Sequence, residues 1–355
     1  MQFINLHIIN KNSQFGGVEK LVSRIIDSTH NAENVKHKLF KIAPTKPFEI
    51  IFSKKKLRQF VVIISFFRLL VRYFGIFIQY RSRASFIFHT SEAHLLVWLL
   101  LKFGLFRNNR KVFIYFHQSP HLYPEKILPY ALALCKNSAL NFIVYSKLVL
   151  KGWNINSQAS TNVIHAAPAK PRNNLTHMLD FPFFLFVGRD VDWKRLDLAF
   201  DLHQEISKVE PLVKLVVIGG DSRSLGKKWS SSYDLSSTIF LGSQPSPPYK
   251  GALFTYIPND YEKSLETVGL SGLESISFRT PIVIRDGATS DYVGLPGLYR
   301  ESIIRNMCVS SNLENSLIQN FKKLKLGNND LRIWRKELSF TRYLRDLDRV
   351  VNFFE

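Results

Sequence analysis

The sequence predicts an α/β protein: two doubly wound domains facing each other across a cleft. Three observations carry this. Short continuous apolar runs alternate with longer amphipathic stretches, the pattern of buried parallel strands joined by helices. The pattern stops at residues 166–178, a stretch rich in Pro, Asn and small residues, and then starts again. The chain has 355 residues, room for two ordinary domains, and 46% of them are apolar, enough for two cores.

In chain order, "FINLHII" is a first buried strand, followed by the loop "NKNSQFGG" and the helix "VEKLVSRIIDST". "SFIFHT" is a strand leading to a helix through "HLLVWLLLKFGL". "KVFIYFH" is a strand leading, past a Pro-broken loop, to a helix near residues 126–136. "LNFIVYS" and "TNVIHA" complete the first sheet. After the linker come the strand "FFLFVG", the helix "KRLDLAFDLHQEISKV", the strands "VKLVVIGG", "STIFLG" and "LFTYIP", and the strand "TPIVIRD". The expected domains are residues 1–168 and 181–335, with a linker over 169–180. A closing amphipathic helix over 336–355 is expected to pack back toward the first domain.

The net charge is +20, from 48 Lys and Arg against 28 Asp and Glu. An excess that large implies anionic company: nucleic acid, an acidic membrane face or phosphorylated small molecules. The two cysteines, Cys135 and Cys308, form no CxxC or Cys/His cluster, which argues against a zinc site and a disulfide scaffold. The start, "MQFINLHIIN", reads as a strand and not as a signal peptide. The longest apolar run, residues 60–78, is interrupted by Arg68 and Arg72. Two central arginines are costly in a spanning helix. The run reads as an amphipathic helix on a sheet, and its basic flanks (Lys54, Lys55, Lys56 and Arg58) also suit an anionic membrane surface.

Ligands of open parallel sheets bind at the carboxyl ends of the strands, so strand-end residues are the candidates. Glu266 and Glu274 are separated by seven residues, "TVGLSGL". "GLSGLESIS" can open a helix at Gly269 and Leu270, whose free N–H groups and dipole suit a phosphate. A carboxylate accepts paired hydroxyls well. Hydroxyls on both sides of a diphosphate describe a nucleotide sugar, with one glutamate for each sugar ring. Two surface glutamates beside a helix start fit the same letters. Arg189 and Lys194 follow the strand "FFLFVG" and can neutralise a leaving diphosphate, or can be solvated cations. Gly16 and Gly17 allow close backbone approach after the first strand, or make a plain tight turn. His117 ends an apolar strand, where it can hydrogen-bond a sugar hydroxyl. For the similar His89, satisfaction by backbone is the favoured reading.

Together these segments resemble the retaining GT-B glycosyltransferases of the group 1, family 4-like type, which include sucrose synthases and bacterial polysaccharide and lipopolysaccharide transferases. The likeness is carried by Glu266–"TVGLSGL"–Glu274 followed by "SISFRTPIVI", by "FLFVGR" with Lys194 five after Arg189, and by "GGVEKL" after the first strand. The resemblance implies two Rossmann-like domains. It implies that Glu274 binds the ribose and Glu266 the transferred sugar. Arg189 and Lys194 would hold the diphosphate with the backbone of Gly269 and Leu270. Gly16 and Gly17 would line the acceptor side near the donor phosphate, and His117 would contact the donor sugar. It implies no bound metal and no cofactor, a UDP- or GDP-sugar donor, and a glycan or lipid-linked glycan acceptor. No nucleic acid is expected as a partner: the sequence has no RRM-type aromatic motif and no zinc finger. The expected location is cytoplasmic, peripheral at the inner face of the cytoplasmic membrane. A non-catalytic carbohydrate-binding or partner subunit is the alternative. Arg279 stands where the family has a glycine before Thr-Pro, so that turn must be made another way.

Overall fold

The structure is a computed structural model. It describes residues 3–10, 17–29, 35–42, 74–80, 84–104, 111–165, 167, 179–244, 247–264, 269–288, 294–309 and 316–352. The chain divides into two compact units. One comprises Met1–His165 with Leu344–Glu355, the other Ala166–Tyr343.

The first unit is built on six parallel strands: β1 (Phe3–Asn10), β2 (Val35–Ile42), β3 (Ala84–Phe88), β4 (Val112–Phe116), β5 (Asn141–Val144) and β6 (Ser160–Val163). Their order is β2-β1-β3-β4-β5-β6. The central strands β3, β4 and β5 are buried throughout, which is why they read as unbroken apolar runs. The strand β2, "VKHKLFKI", was not expected. It closes one edge of the sheet, and there Lys36 and Lys38 flank the buried His37. The polar β6 closes the other edge.

Helices α1 (Gly17–Thr29), α2 (Ser91–Lys102), α3 (Leu128–Cys135) and α4 (Lys147–Trp153) connect these strands. The start of α2 is capped by the Thr90 side chain, which accepts from the Ala93 N–H, and Glu92 and Lys102 complement the dipole at its two ends. It ends with Gly104 at φ +78°. Ser146 caps α4 in the same way, and Asn154 in the left-handed region ends it. The Trp153 ring stacks on Phe116 at 3.9 Å, and its indole N–H donates to the Gln118 carbonyl at 2.8 Å. A short helix at residues 74–80 places Phe77 in the same core. The rest of the apolar run from residue 60, with its basic flank, lies outside the described residues. Among the described residues no helix is long and apolar enough to cross a membrane.

The second unit repeats the plan with β7 (Phe183–Val187), β8 (Lys214–Ile218), β9 (Thr238–Gly242), β10 (Thr255–Ile257), β11 (Ile282–Ile284) and β12 (Leu298–Arg300). These six are parallel in the order β12-β11-β10-β7-β8-β9. Its helices are α5 (Leu196–Val209), α6 (Ser222–Trp229), α7 (Tyr261–Ser264), α8 (Gly269–Ser277), α9 (Glu301–Val309), α10 (Leu317–Leu324) and α11 (Asn328–Leu338). The core is aromatic, with Phe184 stacked on Phe254 at 4.9 Å and Phe321 against Phe254 at 4.8 Å. The last helix, α12 (Phe340–Asn352), runs from the second unit into the first. There Asp348 accepts from Asn5 and pairs with His37, and Ser85 donates to the Val351 carbonyl.

Candidate functional site

In the second sheet the chain winds outward from β7 to β8 and β9, then returns to lay β10 on the other side of β7 and winds outward again to β11 and β12. The order therefore reverses between β7 and β10. In open parallel sheets, loops leaving the carboxyl ends of two such strands diverge and leave a crevice for a ligand. The predicted residues of this unit leave from these two strands: Arg189 and Lys194 follow β7, and Gly269, Leu270 and Glu274 follow β10.

The floor is set by glycines. The Gly188 N–H donates to the Ile218 carbonyl at 2.9 Å, and the Gly219 N–H donates to the Gly242 carbonyl at 2.8 Å. The ends of β7, β8 and β9 are thus laced backbone to backbone. Gly219 has φ +126°, and a Cβ there would lie 2.1 Å from the Gly188 carbonyl oxygen. Only glycine fits. The polypeptide after β7 then turns through Asp192–Lys194 into α5, with Arg195 at φ +53° tied to Asp197 at 2.7 Å.

Within that turn the Lys194 ammonium sits over the Trp193 ring, 4.1 Å from its centre, and its stem runs beside Gly188. Arg189 is exposed, and the neighbouring Asp190 is engaged by Lys228 at 2.6 Å. The Trp193 carbonyl accepts from the Asp260 N–H at 2.7 Å. That bond joins the loop after β7 to the loop after β10. It fixes the cationic turn relative to the segment that leads to the glutamates.

The helix α8 is welded to its sheet by polar contacts. The Ser275 hydroxyl meets that of Thr255 on β10 at 2.8 Å and donates to the Thr280 carbonyl, while the Thr280 hydroxyl donates to the Tyr249 carbonyl. Gly269 opens the helix at φ +63°. Glu274 lies five residues on, about 7.5 Å along the axis at 1.5 Å per residue. It is half-buried, and the Tyr249 hydroxyl donates to its Oε2 at 3.3 Å. A carboxylate so oriented keeps further acceptor capacity for hydroxyls. The turn after α8 is the expected departure from the family pattern. It is made by Arg279 itself at φ +66°, with the Arg279 N–H bonded to Ile276 O and the Thr280 N–H to Ser275 O. This is the helix stop that glycine ordinarily supplies.

Glu266 and Gly16 lie outside the described residues, and Gly17 is the first residue of α1. His117 belongs to the first unit. It is half-buried at the carboxyl end of β4 and stacked on Tyr115 at 4.0 Å. Burial and the nearby His94 push its pKa down to about 3, so it is a neutral ring. His89 is not held by backbone as expected: its ring nitrogens meet His7 at 2.9 Å and His117 at 2.9 Å. Sequence reading also missed Asn259, which follows β10 at the crevice. Its side chain is buried, and its Nδ2 has no partner among the described residues. A buried unpaired donor calls for an occupant. Its only sequence signal was a turn-like Pro-Asn-Asp. Among the described residues no group of three or more His, Cys, Asp or Glu is placed to hold a metal ion.

Residues 169–296 match the family model described as glycosyl transferases group 1. No curated protein matches the chain by sequence. Among solved structures, the chain resembles the apo form of the lipopolysaccharide outer core galactosyltransferase WaaB, with 16% identity, 99% of this chain and 100% of that one covered, and a TM-score of 0.62. Anabaena Alr3699/HepE in complex with UDP and glucose gives 12% identity, coverage of 98% and 99%, and a TM-score of 0.62. The E. coli trehalose-6-phosphate structure with bound UDP-2-fluoro glucose gives 10% identity, 98% coverage of both chains, and a TM-score of 0.62. At these identities the structural likeness is one of fold. The chain is built of two Rossmann-like units in the GT-B manner, and its residues 169–296 are similar to the group 1 glycosyl transferases.

Proposed function

We propose that the protein is a retaining glycosyltransferase that moves a sugar from a nucleotide-sugar donor to a glycan or lipid-linked glycan acceptor in cell-surface glycan synthesis. The observation that carries the reading is the strand-order reversal between β7 and β10, with cations on one bordering loop, a glycine-started helix on the other, and the Asp260–Trp193 bond between them. On this reading the diphosphate lies against Arg189, Lys194 and the first amides of α8. There the charge that builds on the leaving group is met by fixed cations and N–H dipoles. Glu274 accepts the ribose hydroxyls and Glu266 those of the transferred sugar. To the first unit the sequence resemblance assigns His117 as a sugar contact and the Gly16–Gly17 loop to the acceptor side. The complexes of similar fold with UDP and glucose, and with UDP-2-fluoro glucose, support a uridine donor. The galactosyltransferase of lipopolysaccharide outer core supports a surface-glycan acceptor.

Thermal shift with nucleoside diphosphates tests the donor half. A ligand that binds only the folded state raises the Tm, so UDP or GDP should do so. Glu274→Ala should remove most of that rise. An undiminished rise in the variant excludes Glu274 as the ribose contact.

A further inference from the structure

Four histidines cross the first sheet in one line. His37 on β2, His7 on β1, His89 just after β3 and His117 just after β4 come from four adjacent strands. Each touches the next through ring nitrogens. His37 Nδ1 meets His7 Nε2 at 2.7 Å, His7 Nδ1 meets His89 Nε2 at 2.9 Å, and His89 Nδ1 meets His117 Nε2 at 2.9 Å. At the far end His37 Nε2 meets Asp348 Oδ1 at 3.0 Å, on the helix that closes the chain. The rings stack as a ladder with centres 5.0–5.2 Å apart.

Each contact between two ring nitrogens needs one hydrogen and has room for only one. A neutral imidazole has one N–H and one lone pair, and a carboxylate only accepts. Asp348 therefore takes the hydrogen of His37 Nε2. With a single hydrogen on His37, its Nδ1 is a lone pair, which takes the hydrogen of His7 Nε2, and the same logic repeats through His89 to His117. His7, His89 and His117 are all held neutral, mainly by burial, so none of these three rings carries a spare proton to break the sequence. The last nitrogen, His117 Nδ1, has no partner among the described residues.

We propose that Asp348 locks the tautomer of His117 through this chain, so that His117 presents a lone pair at Nδ1 and its ligand there is a hydrogen-bond donor, a sugar hydroxyl, and not a phosphate oxygen. Asp348, His37, His7 and His89 are positioning residues. The identification of the donor as a sugar hydroxyl rests on the glycosyl-transfer reading, and the tautomer lock does not.

Nitrogen NMR of the histidine-labelled full chain at neutral pH, without substrate, tests the lock. In the wild type all four rings should be neutral with the hydrogen on Nε2, and an Nδ1–H or doubly protonated ring in the line overturns the proposal. Asp348→Lys puts a pure donor at the far end and should move the hydrogen of every ring to Nδ1, including that of His117 three rings beyond His37. A His117 signal that stays put while that of His37 reverses overturns it. If the lysine variant does not fold, Asp348→Asn keeps the shape and can either donate or accept. It should give a mixture of the two forms at His117, and a wild-type signal there counts against the lock. In turnover assays Asp348→Lys should lower kcat/KM about tenfold, the scale of one misdirected hydrogen bond. A wild type that shows the locked tautomers but turns over no nucleotide sugar sinks the glycosyl-transfer reading and leaves the lock standing.

Discussion

Arg189 and Lys194 are held differently after β7. Lys194 is steered by the Trp193 ring under its ammonium and by Gly188 beside its stem, whereas Arg189 is exposed. If both meet the diphosphate as its charge grows, Arg189→Ala and Lys194→Ala should each lower turnover by roughly two to three orders of magnitude, the loss of one contact made in the transition state. Near-wild-type rates in both variants would remove the phosphate role. Trp193→Ala should weaken the effect of Lys194 by releasing its ammonium, a contact worth about 0.5–1 kcal/mol where exposed. Gly219 is a backbone constraint at the same place. Gly219→Ala drives a methyl into the Gly188 carbonyl at a φ that alanine avoids, and should cost about 3 kcal/mol or more, read as a drop in the urea midpoint. An unchanged midpoint would mean the strand ends are not laced as described.

At the scale of elements, α8 holds its place by polar welding and not by length. It has nine residues, and the Thr255–Ser275–Thr280–Tyr249 contacts set its angle to the sheet. Buried networks of this kind are stabilising only while every member is satisfied. The helix ends on a left-handed arginine, a conformation that costs a residue with a Cβ about 1–2 kcal/mol. Arg279→Gly should therefore stabilise the protein by roughly 1 kcal/mol, after the loss of the exposed Arg279–Asn328 bond. A lower Tm in that variant would show that the bond outweighs the strain. The sequence told of this turn only indirectly: Arg279 stands where a glycine was expected, and the letters gave no sign that the arginine adopts the glycine conformation. The edge strand β2 was illegible for a related reason. "VKHKLFKI" mixes three lysines with apolar residues in no strict alternation, as an edge strand and a loop both can, and its pairing with β1 is a long-range event.

At the scale of the whole molecule, the buried histidines tie stability to pH. A histidine in an unfolded chain binds its proton near pH 6.5. Burial holds His94 down to about 4, although its ring donates to the Phe88 carbonyl. Above pH 6.5 both states are neutral. Between pH 6.5 and 4 the unfolded chain binds a proton that the folded chain refuses, so stability falls as pH falls, by roughly 3 kcal/mol for this one group at about 1.4 kcal/mol per unit. His7, His89 and His117 shift in the same direction. Thermal melts should therefore show a Tm that is level above pH 7 and falls steeply between pH 6.5 and 4.5. A Tm constant across that range would contradict the buried neutral rings.

The sequence by itself determined the two α/β units, most of their central strands, the positions of Arg189 and Lys194 after a strand end, and that of Glu274 inside a glycine-started helix. Continuous apolar runs and strand-ending glycines are local signals, written in neighbouring letters. Only the tertiary structure decided that β10 lies beside β7, that Gly219 abuts Gly188, and that Asp260 ties one loop to the other. It alone lined up His37, His7, His89 and His117 behind Asp348, residues separated by up to 341 positions in the case of His7 and Asp348. Which parallel strands become neighbours depends on the packing of the whole sheet, and hydrogen bonds between side chains on different strands leave no periodicity in the chain that could be read in advance.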